Sequence, residues 1–136
     1  MKKKFSNDRN EVSIMLEIAM NQINVPDLEK AIKWYTEKLG FEVSKDHYYP
    51  PQAVDLIQKG PIRLLLYKVE KSIEIDYPNV NQSVIIFKTK DLIKTMKVLK
   101  EKEVEFVYPE AVEFPAGLFN AFKDPFGNFH EIVQLK

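Results

Sequence analysis

Glu131 is the residue best placed, by type and by setting, to do chemistry. It closes the stretch Asp124-Pro125-Phe126-Gly127-Asn128-Phe129-His130-Glu131, in which Pro and Gly mark a tight turn and the following residues alternate as a strand. On that strand Glu131 shares a face with Phe129, Val133 and Leu135, an apolar setting in which an unpaired carboxylate is costly to desolvate. Such a group suits a general base, or an acceptor for a ligand N–H or O–H. It is equally a carboxylate satisfied by Gln22, Asn120 or Arg63, with no chemical role. His130 adjoins it, so strand alternation sends that imidazole to the opposite face, toward a helix or the surface. His47 ends another strand beside Tyr48, Tyr49, Pro50 and Pro51, a rim position rather than a ligand position.

Other reactive chemistries find little material. The chain has no cysteine, which removes disulfides, thiolate metal sites and thiol nucleophiles. It has neither a Gly-rich phosphate loop nor a Gly-x-Ser-x-Gly elbow. Twenty basic residues balance twenty acidic ones, so no global field draws the chain to nucleic acid or an anionic membrane. No apolar run reaches the length of a membrane span, and Phe5–Ser13 supplies no apolar stretch behind Lys2–Lys4, as a secretory signal would need. The cytoplasm is the expected location. The aromatics concentrate in two places, at Trp34, Tyr35, Tyr48, Tyr49 and Tyr67 and at Phe119, Phe122, Phe126 and Phe129. Most of them serve the core; those on a concave face can line a pocket for a flat or apolar ligand.

The elements that must position these residues are duplicated. DLEKAIKWYTEK at Asp27–Lys38 returns as DLIKTMKVLKEK at Asp91–Lys102, an offset of 64 residues with six of twelve positions identical. Asp27 and Asp91 are N-caps, since a carboxylate accepts orphan N–H groups and favours the positive helix end. Leu28, Ala31, Ile32, Tyr35 and Leu39 form one buried stripe, and Leu92, Met96 and Leu99 the other. Strands are expected at Ser13–Val25, Phe41–Tyr48, Gln52–Gln58 and Ile62–Lys68, then at Gln82–Lys88, Glu103–Tyr108, Gly117–Lys123 and Phe129–Leu135. Residues 1–12 read as a polar tail, Val69–Asn81 as a linker and Pro109–Pro115 as a loop. The fold class is α+β: one domain of 136 residues built from two tandem βαβββ modules, about 14–68 and 82–135. Their curved mixed sheets would enclose a cup.

Three segments, VPDLEKAIKWYTEKLGF, GPIRLLL and FKDPFGNFHEIVQ, together resemble the vicinal oxygen chelate superfamily, that of glyoxalases, bleomycin-resistance proteins and extradiol dioxygenases. The match covers about Ile18 to Gln134, and its most specific element is the run from Asp124 to Glu131. The resemblance implies paired βαβββ modules, a ligand cavity in the curled sheets and often a homodimer. It does not fix a reaction.

Enzymes of that superfamily hold a divalent metal with two ligands per module. Carried over residue by residue, the first-strand positions, seven before each capping Asp, are Met20 and Val84. The last-strand positions, four after each turn glycine, are Leu64 and Glu131. Only Glu131 is a competent ligand; Gln22, on the face of Met20, would raise the donors to two, still short of a metal centre. The expectation is therefore no metal and no cofactor. The proposed concave face comprises Met20, Gln22, Leu64, Leu66, Val84, Ile86, Phe129, Glu131 and Val133. Ligand contacts are expected from Met20, Gln22, Leu64, Val84, Phe129 and Glu131, with Glu131 as the catalytic candidate if any reaction occurs. The partner is a small organic molecule, bound as bleomycin-resistance proteins sequester antibiotics. The alternatives are a glyoxalase- or dioxygenase-type enzyme with a rearranged metal site, and metal-free acid–base catalysis by Glu131.

Overall fold

The computed structural model describes residues 16–49, 51–72, 74–79 and 83–136, with backbone only at 47–49. The tail 1–12 and the expected strand positions 13–15 and 82 lie outside the described residues, as do the side chains of His47, Tyr48 and Tyr49. The elements are β1 (Met20–Val25), α1 (Leu28–Leu39), β2 (Glu42–Tyr49), β3 (Ala53–Ile57), β4 (Arg63–Lys68), β5 (Ile85–Lys88), α2 (Leu92–Glu101), β6 (Val112–Phe114), β7 (Gly117–Lys123) and β8 (Phe129–Leu135). They form two four-stranded sheets, in the orders β1-β4-β3-β2 and β5-β8-β7-β6. In each, the outermost strand before the helix pairs in parallel with the last strand, and the remaining pairs are antiparallel. The sequence repeat is thus a repeat of topology, and the fold is the α+β arrangement of tandem βαβββ modules.

Both helices begin as their sequences dictate. The Asp27 carboxylate accepts from the Lys30 amide at 3.1 Å, and that of Asp91 from the Lys94 amide at 3.0 Å. Gly40 ends α1 in the left-handed conformation, its N–H turned back to the carbonyls of Thr36 and Tyr35. The buried stripe of α1 meets Ile23, Val25, Val54, Leu56, Leu64 and Leu66 on its own sheet. That of α2 meets Phe122 and Ile132. Trp34, Leu39 and Phe87 pack against both clusters, so the two modules share their helix-side packing.

Three expected strands differ, and the one expected at Gln82–Lys88 starts only at Ile85. β1 starts at Met20 because its ladder with β4 runs only from Met20↔Arg63 to Val25↔Lys68; Leu16 and Ile18 precede it, exposed. Residues 103–108 run beside β7 without forming a strand. They share one bridge, Phe106↔Phe122, and the bond from Val107 N–H to the Ala121 carbonyl. At Tyr108 the Asn120 side chain replaces the ladder, accepting from its N–H and donating to its carbonyl. The edge strand of the second sheet forms later instead, at Val112–Phe114, inside the expected loop.

Gly117 opens β7 where the chains approach most closely: a Cβ there would lie 1.9 Å from the Gln134 carbonyl oxygen on β8. A Cβ on Gly40 would meet nothing within 4 Å. Gly40→Ala should therefore cost only backbone strain, about 1 kcal/mol. Gly117→Ala should cost about 2 kcal/mol or more, because β7 and β8 must separate. Urea midpoints of the two variants check this, and equal losses would contradict the close approach.

Candidate functional site

The turn that ends β7 is organised by one carboxylate. Asp124 is buried, and its Oδ1 accepts from the backbone N–H groups of Phe126 and Asn128, both at 2.9 Å. Its Oδ2 accepts from the Asn128 side-chain amide at 2.8 Å and from the Tyr35 hydroxyl at 2.7 Å. Tyr35 comes from α1, so the turn of the second module is tied to the helix of the first. The Asn128 amide also donates to the Asn24 carbonyl on β1 at 3.1 Å. The Tyr35 oxygen lies 2.7 Å from His130 Nε2 as well. Burial, reinforced by the neighbouring Asp124 carboxylate, holds the Tyr35 phenol well above its ordinary pKa. Burial also pushes His130 down to about 4, against the opposing pull of Asp124, so the imidazole is neutral near pH 7.

His130 therefore belongs to the helix-side face, as alternation from Glu131 required. Glu131 lies on the other face, beside Phe129, and its partner is none of the three residues expected. Gln22 bonds Asn24, Arg63 pairs with Asp55 and Asn120 binds Tyr108. The Glu131 carboxylate instead accepts from the hydroxyl of Tyr77, from the connection between the modules. The Tyr77 ring stacks on Phe129 with centroids 5.1 Å apart and planes 12° from parallel. Burial and the bond to Glu131 raise the Tyr77 phenol above its ordinary range. No motif flagged Tyr77; its position in a polar connection gave no signal. Asp55 was also missed, though a carboxylate inside the apolar run Ala53–Ile57 was a visible anomaly.

The register corrects one assignment outright. Leu64, and with it Leu66, is buried in the core beneath α1 and does not face the cup. Gln22 pairs with Leu65, as Ile86 pairs with Glu131, and both first-strand residues lie five positions before their capping Asp. Leu65 is thus the counterpart of Glu131. The turn after Gly60 is one residue longer than the turn after Gly127, and one residue in a strand exchanges faces.

Between the modules lies a cavity of about 450 Å³, walled by β1, by Val69, Lys71, Ser72 and Ile75, by the start of β5 and by the turn before β8. Gln22, Val84 and Phe129 line it together; Met20 and Glu131 do not. Its polar residues include Asn24, Asn128 and His130, and its apolar ones Ile75 and Phe126. A larger, more open groove of about 970 Å³ lies between α2 and the Pro109–Glu113 segment with Leu118, and none of the expected site residues lines it.

Comparison with known proteins agrees with this architecture. A family profile described as the Glyoxalase/Bleomycin resistance protein/Dioxygenase superfamily matches residues 15–132. The chain belongs to this superfamily. The uncharacterized protein YetH of Bacillus subtilis (strain 168) is 33% identical over 116 residues, covering 82% of this chain and 92% of that one. Among solved structures, a superfamily member from Sphaerobacter thermophilus DSM 20745 is 25% identical with a TM-score of 0.69, over 88% of this chain and 98% of its own. TnmS3, an antibiotic-binding protein from Streptomyces sp. CB03234, shares the fold at 22% identity with the same TM-score, over 91% and 99% of the two chains.

The superfamily implies a divalent metal, and the donors present do not fit one. By the observed register, the positions equivalent to the two modules' strand pairs are Gln22, Leu65, Ile86 and Glu131. Leu65 and Ile86 offer no donor, and the Glu131 carboxylate is engaged by Tyr77. Met20 and Val84, two residues before Gln22 and Ile86, add only a soft thioether. Among the described residues, no three His, Cys, Asp or Glu side chains cluster as a metal site would need.

The buried imidazole has a consequence for stability. His130 titrates near pH 6.5 when unfolded and near 4 when folded, so the unfolded chain binds the extra proton between those values. Its stabilisation is complete above about pH 6.5 and is lost as pH falls toward 4. Wild type should lose about 2 kcal/mol between pH 7.5 and pH 5 from this group alone. A His130→Leu variant, followed by urea unfolding across that range, should show a flatter slope; parallel slopes would contradict the burial of a neutral ring.

Proposed function

We propose that the protein binds a small, largely apolar organic molecule in the cavity between its modules, and that it does so without a divalent metal. The observation that carries this reading is the cavity, whose volume of about 450 Å³ falls in the range of small-molecule sites. Val84, Phe126 and Phe129 supply apolar wall, and Gln22, Asn24 and Asn128 supply amide groups that orient a ligand. Glu131 contributes by holding Tyr77 behind the Phe129 ring, and an acid–base role for it requires Tyr77 to withdraw. Leu64 has no part, being in the core, and Met20 stands outside the cavity wall. The antibiotic-binding activity of TnmS3, a protein of the same fold, makes antibiotic-like aromatic compounds the first set to try.

A homodimer in the cytoplasm belongs to the same reading. Met20 and Ile86 are exposed, at 41% and 58%, on the faces turned away from the helices, where a second copy would cover them. No helix among the described residues is long and apolar enough to cross a membrane.

A thermal-shift and calorimetric screen of flat aromatic compounds, run with and without chelator, tests the reading. Binding should persist in chelator, and Phe129→Ala should weaken it by about 1–2 kcal/mol through lost ring contact. Binding that requires added metal, or that ignores Phe129→Ala, would sink it. Light scattering at micromolar concentration should report a dimer, and a strict monomer would remove the dimer from the reading.

A further inference from the structure

The connection between the modules places one aromatic side chain on the second sheet. Its described residues 74–79 form neither strand nor helix, and the turn there is closed locally, by the Asn79 N–H to the Asp76 carbonyl at 2.7 Å. From this turn Tyr77 reaches the face of the sheet turned away from α2. Its ring lies flat on Phe129, centroids 5.1 Å apart, and its hydroxyl donates to the Glu131 carboxylate. Those two contacts are what a planar ring with one hydrogen-bond donor needs, an apolar surface and an acceptor. The sheet supplies both by itself. Phe129 stands two residues before Glu131 on β8 and so shares its face. Ala121, opposite Glu131 on β7, brings only a methyl group to the space beside the carboxylate. Tyr108, whose ring meets Phe119 edge-on at 5.8 Å, stands close enough to act on the Tyr77 phenol. Tyr77, Phe129 and Glu131 are all half-buried, so solvent reaches the contact.

We propose that Phe129 and Glu131 form a recognition site for a flat ring bearing an O–H or N–H donor, and that Tyr77 fills this site in the free protein and gives way when such a molecule binds. The site goes beyond the inter-module cavity: Phe129 lines both, but neither Glu131 nor Tyr77 lines the cavity. The donor is required because a carboxylate only accepts. A ring without one would displace the Tyr77 hydroxyl and leave the acceptor unmatched, a loss that an ether or methyl group does not recover. An anionic substituent near Glu131 is repelled, so the occupant is neutral or cationic. Phenols, indoles and aryl amines meet these conditions. Tyr77 competes as a tethered group, at an effective concentration on the order of millimolar. A fused pair of rings covers more of Phe129 than one phenol ring does, which favours the exchange.

Naphthol and its methyl ether, titrated into the full chain by calorimetry, test this. Naphthol should bind about 10-fold or more tighter to Tyr77→Ser than to wild type, because the competing ring is gone. In Tyr77→Ser it should also bind about 10-fold tighter than its ether, and that preference should fall below about 2-fold when Glu131→Leu removes the acceptor. A second readout needs no variant to fold. In wild type the Tyr77 ring protons, shielded by the stack on Phe129, should move downfield in the NMR spectrum as naphthol saturates the protein. If Tyr77→Ser leaves naphthol binding unchanged or weaker, or if the Tyr77 signals stay still at saturation, the proposal is overturned. In that case shifts at Gln22 and Val84 would show that the inter-module cavity survives as a site. Movement at Tyr77 with Gln22 and Val84 still would uphold this site and remove the cavity. If naphthol binds to neither protein, the site on Glu131 is refuted.

Discussion

Everything that positions the candidate site passes through the carboxylate of Asp124. Four donors converge on it: two backbone N–H groups and one amide from its own turn, and one hydroxyl from the helix of the other module. A buried carboxylate is tolerable only when its lone pairs are filled in this way. The same bonds fix the turn and so set which face each residue of β8 presents. Phe129 and Glu131 point one way, His130 the other. Because Tyr35 reaches across from α1, the turn cannot shift without moving the first module too. The Asn128 amide, shared between Asp124 and the Asn24 carbonyl, adds a second tie to β1.

The surroundings of this network are aromatic. Trp34 and Phe41 both meet Tyr35 edge-on. His130 lies against Tyr35, Phe87 and Phe122 with ring centroids 5.6–5.9 Å apart. Such packing excludes water and strengthens each polar bond inside it, while making any unfilled acceptor expensive. The polar chain from His130 through Tyr35 to Asp124 therefore orders the interface between the modules. Its far end, Nδ1 of His130, is buried without a hydrogen-bond partner among the described residues.

In the second module Tyr77 stacks on Phe129 and donates its hydroxyl to Glu131. The first module offers Leu65 at the position of Glu131 and Gln22 at that of Ile86. Donors are thus split one per module rather than paired, and a divalent ion finds no coordination set. What is left is a partly open space between the modules with aromatic wall and amide rim, in the size range of small-molecule sites.

The duplication, the helix caps, the strands β7 and β8, and the opposition of His130 and Glu131 across β8 were legible from the sequence, because each depends on local periodicity or on a residue acting within one turn of itself. Leu64 marks the limit. Its face depends on the length of the turn after Gly60, and a one-residue difference from the turn after Gly127 moved it into the core. Residues 103–108 have the composition of a strand, but pairing was decided by Asn120, whose side chain took the partners a ladder would have used. Tyr77, which satisfies Glu131, arrives from a polar connection 54 residues earlier in the chain. Tyr35, which meets the Nε2 of the buried His130, stands 95 residues away in the chain. Periodicity specifies which residues share an element; which polar group finds which partner across the chain is settled by tertiary packing, since each buried donor or acceptor takes whatever the fold brings within reach.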